Sequence, residues 1–408
     1  MKHTHLLLLT TLLAAILSGW CGPRQKDGSV LPSFVKQGAP ERLKVVTEKE
    51  VTFYPTYSYK DAQGWNINLR GLVHKDQPLA NHALAAFSKC NEGEETTFRA
   101  RSGDLLDDAK TFEEVFIKFD SDPEDKPYKS PRSKSDGIVN LKLVLSDEQA
   151  TRLLDQQNSS NGWLTYRAVS REHTGLGRVR LIQPDPNGIS LVSDIDDTIK
   201  ITQVPAGRDI VLRNTFCLDF KPVLEPDMAA RYKELGDIPI HYVSGGPEQL
   251  FGPLYDYLIA GDGRFPEGTV HLKFFPTTAF SLETSRNLIE FIRSSLEVTY
   301  DHKLDTIETL MDKYPDRKFI LVGDSGEIDP EVYNEVRKRR PAQVKEIWIR
   351  DVINDNVVNP FRLIGMTVIP VNPPVCMDDK HFDHLTKKFK KTYPNKTYQR
   401  NTTPPCGQ

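Results

Sequence analysis

Leu191-Val192-Ser193-Asp194-Ile195-Asp196-Asp197-Thr198-Ile199 decides how the rest of this chain is read. A short apolar run with strand character ends, and three carboxylates and a threonine follow at once. Strands in open α/β sheets deliver chemistry at their carboxyl ends. Carboxylates crowded together repel unless a cation or proton compensates them. Mg²⁺ is the economical compensation: it takes carboxylate oxygens and keeps waters for phosphate.

Downstream, strand-like and helical runs alternate. They are Ser190–Ser193, Glu225–Leu235, Ile238–Ser244, Glu248–Ile259, Val270–Phe274, Leu282–Phe291, Lys303–Tyr314, Lys318–Gly323, Pro330–Arg339 and Lys345–Val352. Alternation of this kind predicts βαβ units and a parallel sheet. Three further elements sit where such a sheet places chemistry. Ser244-Gly245-Gly246-Pro247 ends one strand and opens a helix, so a hydroxyl and backbone N–H groups form an anion cradle. His302-Lys303 opens an amphipathic helix about twenty residues before the last acidic stretch, with Lys273 as a rival lysine. Gly323-Asp324-Ser325-Gly326-Glu327-Ile328-Asp329-Pro330-Glu331 again sets acids directly after an apolar strand, and its glycines let the loop turn tightly.

The pattern Asp194-x-Asp196-x-Thr198 resembles the first motif of the haloacid-dehalogenase-like phosphotransferases. The ordered set Ser-Asp-Ile-Asp-Asp-Thr-Ile-Lys, His-Tyr-Val-Ser-Gly-Gly-Pro, Leu-Lys-Phe, His-Lys and Gly-Asp-Ser-Gly-Glu-Ile-Asp-Pro-Glu-Val-Tyr narrows this. Over roughly residues 189 to 352 it resembles the catalytic domain of the fungal actin-patch-type phosphatidate phosphatases. The resemblance implies that Asp194 attacks phosphorus and that Asp196 acts as acid and base. Asp194, the Asp196 carbonyl and Asp324 are expected to hold Mg²⁺, with Asp329 orienting bound water or the lysine. Ser244 and Lys303 (or Lys273) are expected on phosphate oxygens, beside Gly245. Thr198 is expected to support the loop after the nucleophile. Phosphatidate is the implied substrate. The alternatives are another exported phosphoester or a secreted binding protein without turnover. The gaps between motifs hold no full cap domain, which suits an open site and a bulky substrate.

Residues 45–185 read differently. Val51–Tyr59, Trp65–Val73, Glu114–Phe119, Val139–Leu145, Gly162–Val169 and Val179–Ile182 are short strand signals with turns between them, which predicts an antiparallel sandwich-like domain. Ala80–Cys90 reads as a short helix, Asp120–Gly137 as a long exposed loop, and His74, His82 and His173 as scattered structural or surface groups. The expected organisation is a signal peptide over 1–21, a linker over 22–44, this β-rich domain, a Rossmann-like α/β domain over 186–375 and a basic tail over 376–408.

Of the 408 residues, 38% are apolar and 27% charged, and the formal charge of −3 gives no global pull toward nucleic acid. Leu6 to Leu17 is an apolar run followed by Ser18 and Gly19, which reads as a cleaved export signal. Cys21 invites a lipoprotein reading, but bulky Trp20 precedes it. Export makes disulfides expected among Cys90, Cys217, Cys376 and Cys406: Cys376 with Cys406, and Cys217 with Cys90 or else buried. Sequons begin at Asn158, Asn395 and Asn401. In the tail, Phe382, Leu385 and Phe389 share a helical face among Lys380, Lys387, Lys388, Lys390, Lys391, Lys396 and Arg400. Such a segment can lie on an anionic bilayer; the alternatives are a solvated tail or a helix docked on the catalytic domain.

Overall fold

The computed structural model describes residues 49–75, 90–91, 93–98, 101, 110–170, 172–224, 227–260, 265–274 and 299–401. The expected signal peptide, linker, Cys21, His82, Leu282–Phe291 helix and Cys406 lie outside these residues, as does the Ala80–Cys90 helix apart from Cys90. Residues from Val46 onward form one compact unit built on two sheets.

The first sheet contains β1 (Lys49–Tyr54), β2 (Thr56–Asp61), β3 (Gly64–His74), β4 (Phe116–Phe119), β5 (Tyr128–Lys129), β6 (Ile138–Leu145), β7 (Trp163–Ala168), β8 (His173–Thr174) and β9 (Leu176–Leu181). Their order is β5-β4-β7-β9-β2-β3-β1-β8, with β6 on the other side of β3. Pro55 cannot donate to a ladder and separates β1 from β2. The β2–β3 hairpin turns at Gly64, whose φ of 127° is open to glycine, while the Asp61 carboxylate accepts the Gln63 N–H. Alternate residues of β1, β3, β4, β6, β7 and β9 converge on a single core that includes Val51, Trp65, Ile67, Ile117, Leu164 and Val179.

The expectation of a purely antiparallel sandwich is corrected here. This is one continuous mixed sheet wrapped around its core, because β1 pairs β8, and β2 pairs β9, in parallel. The stretch Asp120–Gly137 is also not all loop; β5 lies within it and pairs β4.

The second sheet contains β10 (Ile189–Ser193), β11 (Ile240–Pro247), β12 (Thr269–Lys273), β13 (Lys318–Asp324), β14 (Val344–Asp351) and β15 (Thr367–Pro370). It is parallel throughout, in the order β12-β11-β10-β13-β14-β15. The order reverses between β10 and β13, the place where open α/β sheets bind ligands. Both faces are covered, as a parallel sheet requires. Val192, Phe319 and Leu321 point into one core with helices 299–313 and Asp329–Arg339. Leu191, Ile320 and Val322 point into the other with Met228–Glu234 and Phe251–Tyr255. The two sheets are tied directly: Tyr314 Oη donates to Ser58 O at 2.6 Å, and Arg180 reaches Ile238 O and the Asp237 carboxylate.

The basic tail forms the helix Asp379–Thr392, capped by the Asp378 carboxylate. Its apolar face is docked on the α/β core: Leu385 is 0% exposed, Phe389 2%, and Phe382 packs beside them. Of the three alternatives, the docked helix is therefore the one found. The face expected to enter a bilayer is already occupied, while Lys387, Lys390 and Lys391 face outward. Asn401 is also engaged, donating its side-chain amide to Ile353 O. Cys90 and Cys217 form a disulfide.

Candidate active site

The acids of the first motif follow β10, and those of the fourth follow β13. Adjacent parallel strands in register, Ser193 beside Val322, bring the two loops together. The Asp194 N–H donates to Val322 O at 2.8 Å and fixes the start of the first loop. Asp197 turns that loop with φ 54° and spends its carboxylate on the N–H groups of Thr202, Gln203 and Val204. Arg350, at the end of β14, holds the Asp197 carbonyl.

Lys303 is the lysine brought onto these acids. It is 1% exposed, and its Nζ lies 2.7 Å from Asp194 Oδ1, 2.5 Å from Asp329 Oδ1 and 3.5 Å from Glu327 Oε2. The rival, Lys273, ends β12 beside Pro247 in the ladder. Asp194 is 1% exposed, and among the described residues its second oxygen accepts a 3.3 Å bond from Thr198. Asp329 opens the helix Asp329–Arg339 and accepts the Asp324 N–H at 3.2 Å, so it buttresses both the lysine and the loop. Gly323 makes room for it: a Cβ there would meet the Asp329 carboxylate at 2.3 Å.

The Lys303 ammonium thus faces three carboxylates, those of Asp194, Glu327 and Asp329, and a fourth acid, Asp324, joins the cluster with Arg350 as its nearby cation. Burial drives the Asp194 carboxyl well above its ordinary value; Lys303 opposes this, and Asp329 and Glu327 reinforce it. Asp324 is driven up the same way, by burial and then by Asp329 and Glu327. Burial also lifts Glu327, to about 7, against the pull of Lys303. Burial alone would pull Lys303 down, but Asp194, Asp329 and Glu327 hold it well above the usual lysine range. The cluster is therefore short of positive charge. Asp324 Oδ2 is buried with no hydrogen-bond partner among the described residues. Asp194, Asp324 and Glu327 can each aim one oxygen at a common point, these atoms lying within 4.8 Å of one another. An oxygen-only, anionic, partly unpaired donor set fits a hard divalent cation.

Asp196 stands apart from that cluster. Its Oδ1 meets Lys200 Nζ at 2.7 Å and Thr202 Oγ1 at 2.6 Å, and its Oδ2 accepts from Ser244 Oγ at 3.2 Å. Burial would raise this carboxyl, but Lys200 and these hydrogen bonds bring it below the ordinary value. Ser244 Oγ accepts the Gly246 N–H, and Gly245 lets the turn pass close to Thr299, where a Cβ would meet Oγ1 at 2.5 Å.

An open cleft of 1140 Å³ reaches Asp196, Ser244, Gly245, Gly246 and Glu327. The structure thus gathers Asp194, Thr198, Asp324, Asp329 and Lys303 in one buried cluster, with Asp196, Ser244 and Gly245 on the cleft side. Sequence reading gave no role to Glu327, Lys200 or Arg350. Glu327 was visible as an acid just past the Gly326 turn, and Lys200 as a cation four residues after Asp196; Arg350 carried no signal.

Residues 189–351 match the family model described as the catalytic domain of phosphatidate phosphatase APP1. The chain is 37% identical over 168 residues to phosphatidate phosphatase APP1 of Saccharomyces cerevisiae, covering 40% of this chain and 26% of that protein. It is 28% identical over 173 residues to an uncharacterised protein of Schizosaccharomyces pombe, covering 42% of this chain and 26% of that one. The resemblance read from the motifs holds over this catalytic segment. The chain spans about a quarter of the length of these curated relatives.

Proposed function

We propose that this protein is a Mg²⁺-dependent phosphomonoester hydrolase of the haloacid-dehalogenase-like type, with phosphatidate as substrate and diacylglycerol and phosphate as products. The observation that carries the chemistry is the buried cluster at the sheet's switch point, where Asp194, Glu327 and Asp329 share the Lys303 ammonium and Asp324 Oδ2 has no hydrogen-bond partner among the described residues. The substrate rests on the match of residues 189–351 to the phosphatidate phosphatase catalytic domain.

Asp194, Asp324 and Glu327 would hold the cation, so Glu327 joins Asp194 and Asp324 of the expected set, in which the Asp196 carbonyl was the third ligand and Asp329 oriented bound water or the lysine. Bound there, Mg²⁺ supplies charge neutralisation at the phosphoryl group. Lys303 fixes Asp194 through Oδ1 and leaves Oδ2, which accepts a long 3.3 Å bond from Thr198, as the attacking oxygen. Attack forms the Asp194 O–P bond and breaks the ester O–P bond, giving an aspartyl-phosphate. The departing oxygen takes its proton from Asp196, which then removes a proton from water for hydrolysis of the intermediate. In the free protein Asp196 is ionised against Lys200. An incoming phosphate competes for that ammonium and adds negative charge, which favours protonation of Asp196 for the first step. Ser244 and the turn Gly245–Gly246 receive phosphate oxygens.

The Cys90–Cys217 disulfide supports the export reading, since such bonds persist in oxidising compartments. In this reading the tail meets an anionic membrane through its outward lysines and not through its buried apolar face.

Phosphate release measured with and without chelator on phosphatidate, lysophosphatidate, sugar phosphates and phosphopeptides tests the reading. Mg²⁺-restored release, greatest on phosphatidate and absent in Asp194→Asn, is expected. Greater release from another class would move the substrate, and no release from any would leave a binding protein.

A further inference from the structure

The cleft above the acids is polar at its floor and apolar along one wall. After the first motif the chain makes an insert: a short helix, Arg208–Leu212, runs into a π-helical turn, Arg213–Cys217. Val211, Leu212, Phe216 and Phe220 from this segment border the cleft, and Leu250 and Leu254 continue the wall beyond β11. Phe216 and Leu250 belong to one small buried cluster, so the wall is continuous there. Val211 is half-buried and belongs to none of the described core clusters; its side chain borders the cleft.

This wall is braced from the other half of the molecule. The Cys90–Cys217 disulfide holds one end of the turn, and Glu94 pairs with Arg213 at 2.6 Å. Arg101 donates to Thr215 O at 2.7 Å and to Leu218 O, and its guanidinium lies 3.8 Å from the centroid of Phe220. A wall held by a covalent bond, an ion pair and an arginine clamp keeps its shape without an occupant. Such preorganisation removes the ordering cost from binding.

We propose that this wall seats one hydrocarbon chain of the substrate while the phosphate lies among Asp196, Ser244 and Gly245. The proposal rests on the phosphatase reading above and adds to it a subsite. Two arguments select hydrocarbon. First, apolar wall and phosphoryl floor belong to one cleft, so a single molecule with an anionic head and an apolar body fills both. Second, the six wall side chains carry no hydrogen-bonding atoms. A peptide backbone laid along them would lose water without replacement, at a cost hydrocarbon does not meet.

The test compares kcat/KM for glycerol 3-phosphate, dihexanoyl phosphatidate and dioctanoyl phosphatidate, all as monomers, with the full chain and Mg²⁺. Lengthening the chain should raise kcat/KM on the order of tenfold for two buried methylenes. In Val211→Asp the ratio of dioctanoyl phosphatidate to glycerol 3-phosphate should drop at least tenfold, and Val211→Leu should keep it. A second arm measures equilibrium binding of dioctanoyl phosphatidate by calorimetry to Asp194→Asn, with and without Val211→Asp, so the wall is read without turnover. Absence of phosphate release from every ester sinks the phosphatase reading while the binding arm still judges the wall. Indifference to chain length, or a Val211→Asp ratio and affinity equal to those of the unaltered protein, overturns the subsite. So does a phosphopeptide whose binding depends on Val211 more strongly than that of the lipid.

Discussion

Lys303→Met removes the ammonium that touches three of the clustered acids while nearly keeping the length and volume of the side chain. Its Nζ touches Asp194 and Asp329 at 2.7 and 2.5 Å and approaches Glu327 at 3.5 Å, with the lysine only 1% exposed. Deleting one partner of a buried pair costs about 3–5 kcal/mol, because the other charge is left uncompensated. Here the loss falls on several acids, which relieve part of it by taking up protons. We therefore expect a loss of about 3–5 kcal/mol in chelator, read by urea unfolding at neutral pH. Added Mg²⁺ should return part of the loss, since the emptied cluster is more anionic. Asp329→Asn made in the Lys303→Met background should be less harmful than Asp329→Asn alone, with a coupling of about 0.5–3 kcal/mol. Phosphatase activity should fall in Lys303→Met even where Mg²⁺ has restored the fold, because Asp194 loses its orientation. A chelated Lys303→Met protein within about 1 kcal/mol of the unaltered one would refute the charge balance drawn for this site.

Asp194→Asn should keep the fold and lower turnover by about 10⁴-fold or more, measured as phosphate release. Asp196→Asn should cost about 10²–10⁴-fold on an alkyl phosphate and much less on an activated aryl phosphate, whose departing oxygen needs no proton. Arg362→Leu should destabilise by about 3–5 kcal/mol in urea unfolding, since Glu331 and Asp355 are left buried without their guanidinium. Burial pushes His381 down to about 4, against about 6.5 when unfolded. The neutral form is the one the fold holds, so its contribution is intact above pH 6.5 and is lost as pH falls toward 4, up to about 3 kcal/mol. Thermal unfolding across that window should show a shallower fall in His381→Gln.

The catalytic half was legible because its signals are local and repeated. Each of β10, β11 and β13 is a short apolar run that ends in a Gly, Ser or Asp motif, and alternation with helices dictates a parallel sheet. What the sequence did not reveal depends on long-range pairing. The parallel partners β8 and β9, which turn the expected sandwich into a mixed sheet, are selected by register and not by pattern. β15 is too short, and too close to Pro370 and Pro373, to carry a strand signal. Arg362 looks like any surface arginine in the sequence. In the structure it donates to both oxygens of Glu331, to Asp355 and to the Ser325 and Glu327 carbonyls, and so clamps the acidic loop from behind.

The tail shows why an amphipathic stripe alone is incomplete information. Phe382, Leu385 and Phe389 at helical spacing say only that one face leaves water; the destination is decided by which apolar surface is nearer. Here the α/β core supplies Arg362 over the Phe389 ring at 4.2 Å, the tail's own Tyr398 closes on the same ring at 4.4 Å, and His381 reaches Gly326 O at 2.7 Å. The Arg362 and His381 contacts join the helix to the loop that carries Asp324 and Glu327. A segment that first resembles a membrane anchor is thus part of the scaffold behind the acids. Withdrawing its apolar face into a bilayer would expose the Arg362 network and loosen the site it supports. Any membrane approach by the docked protein must therefore use its outward charges and leave this helix in place.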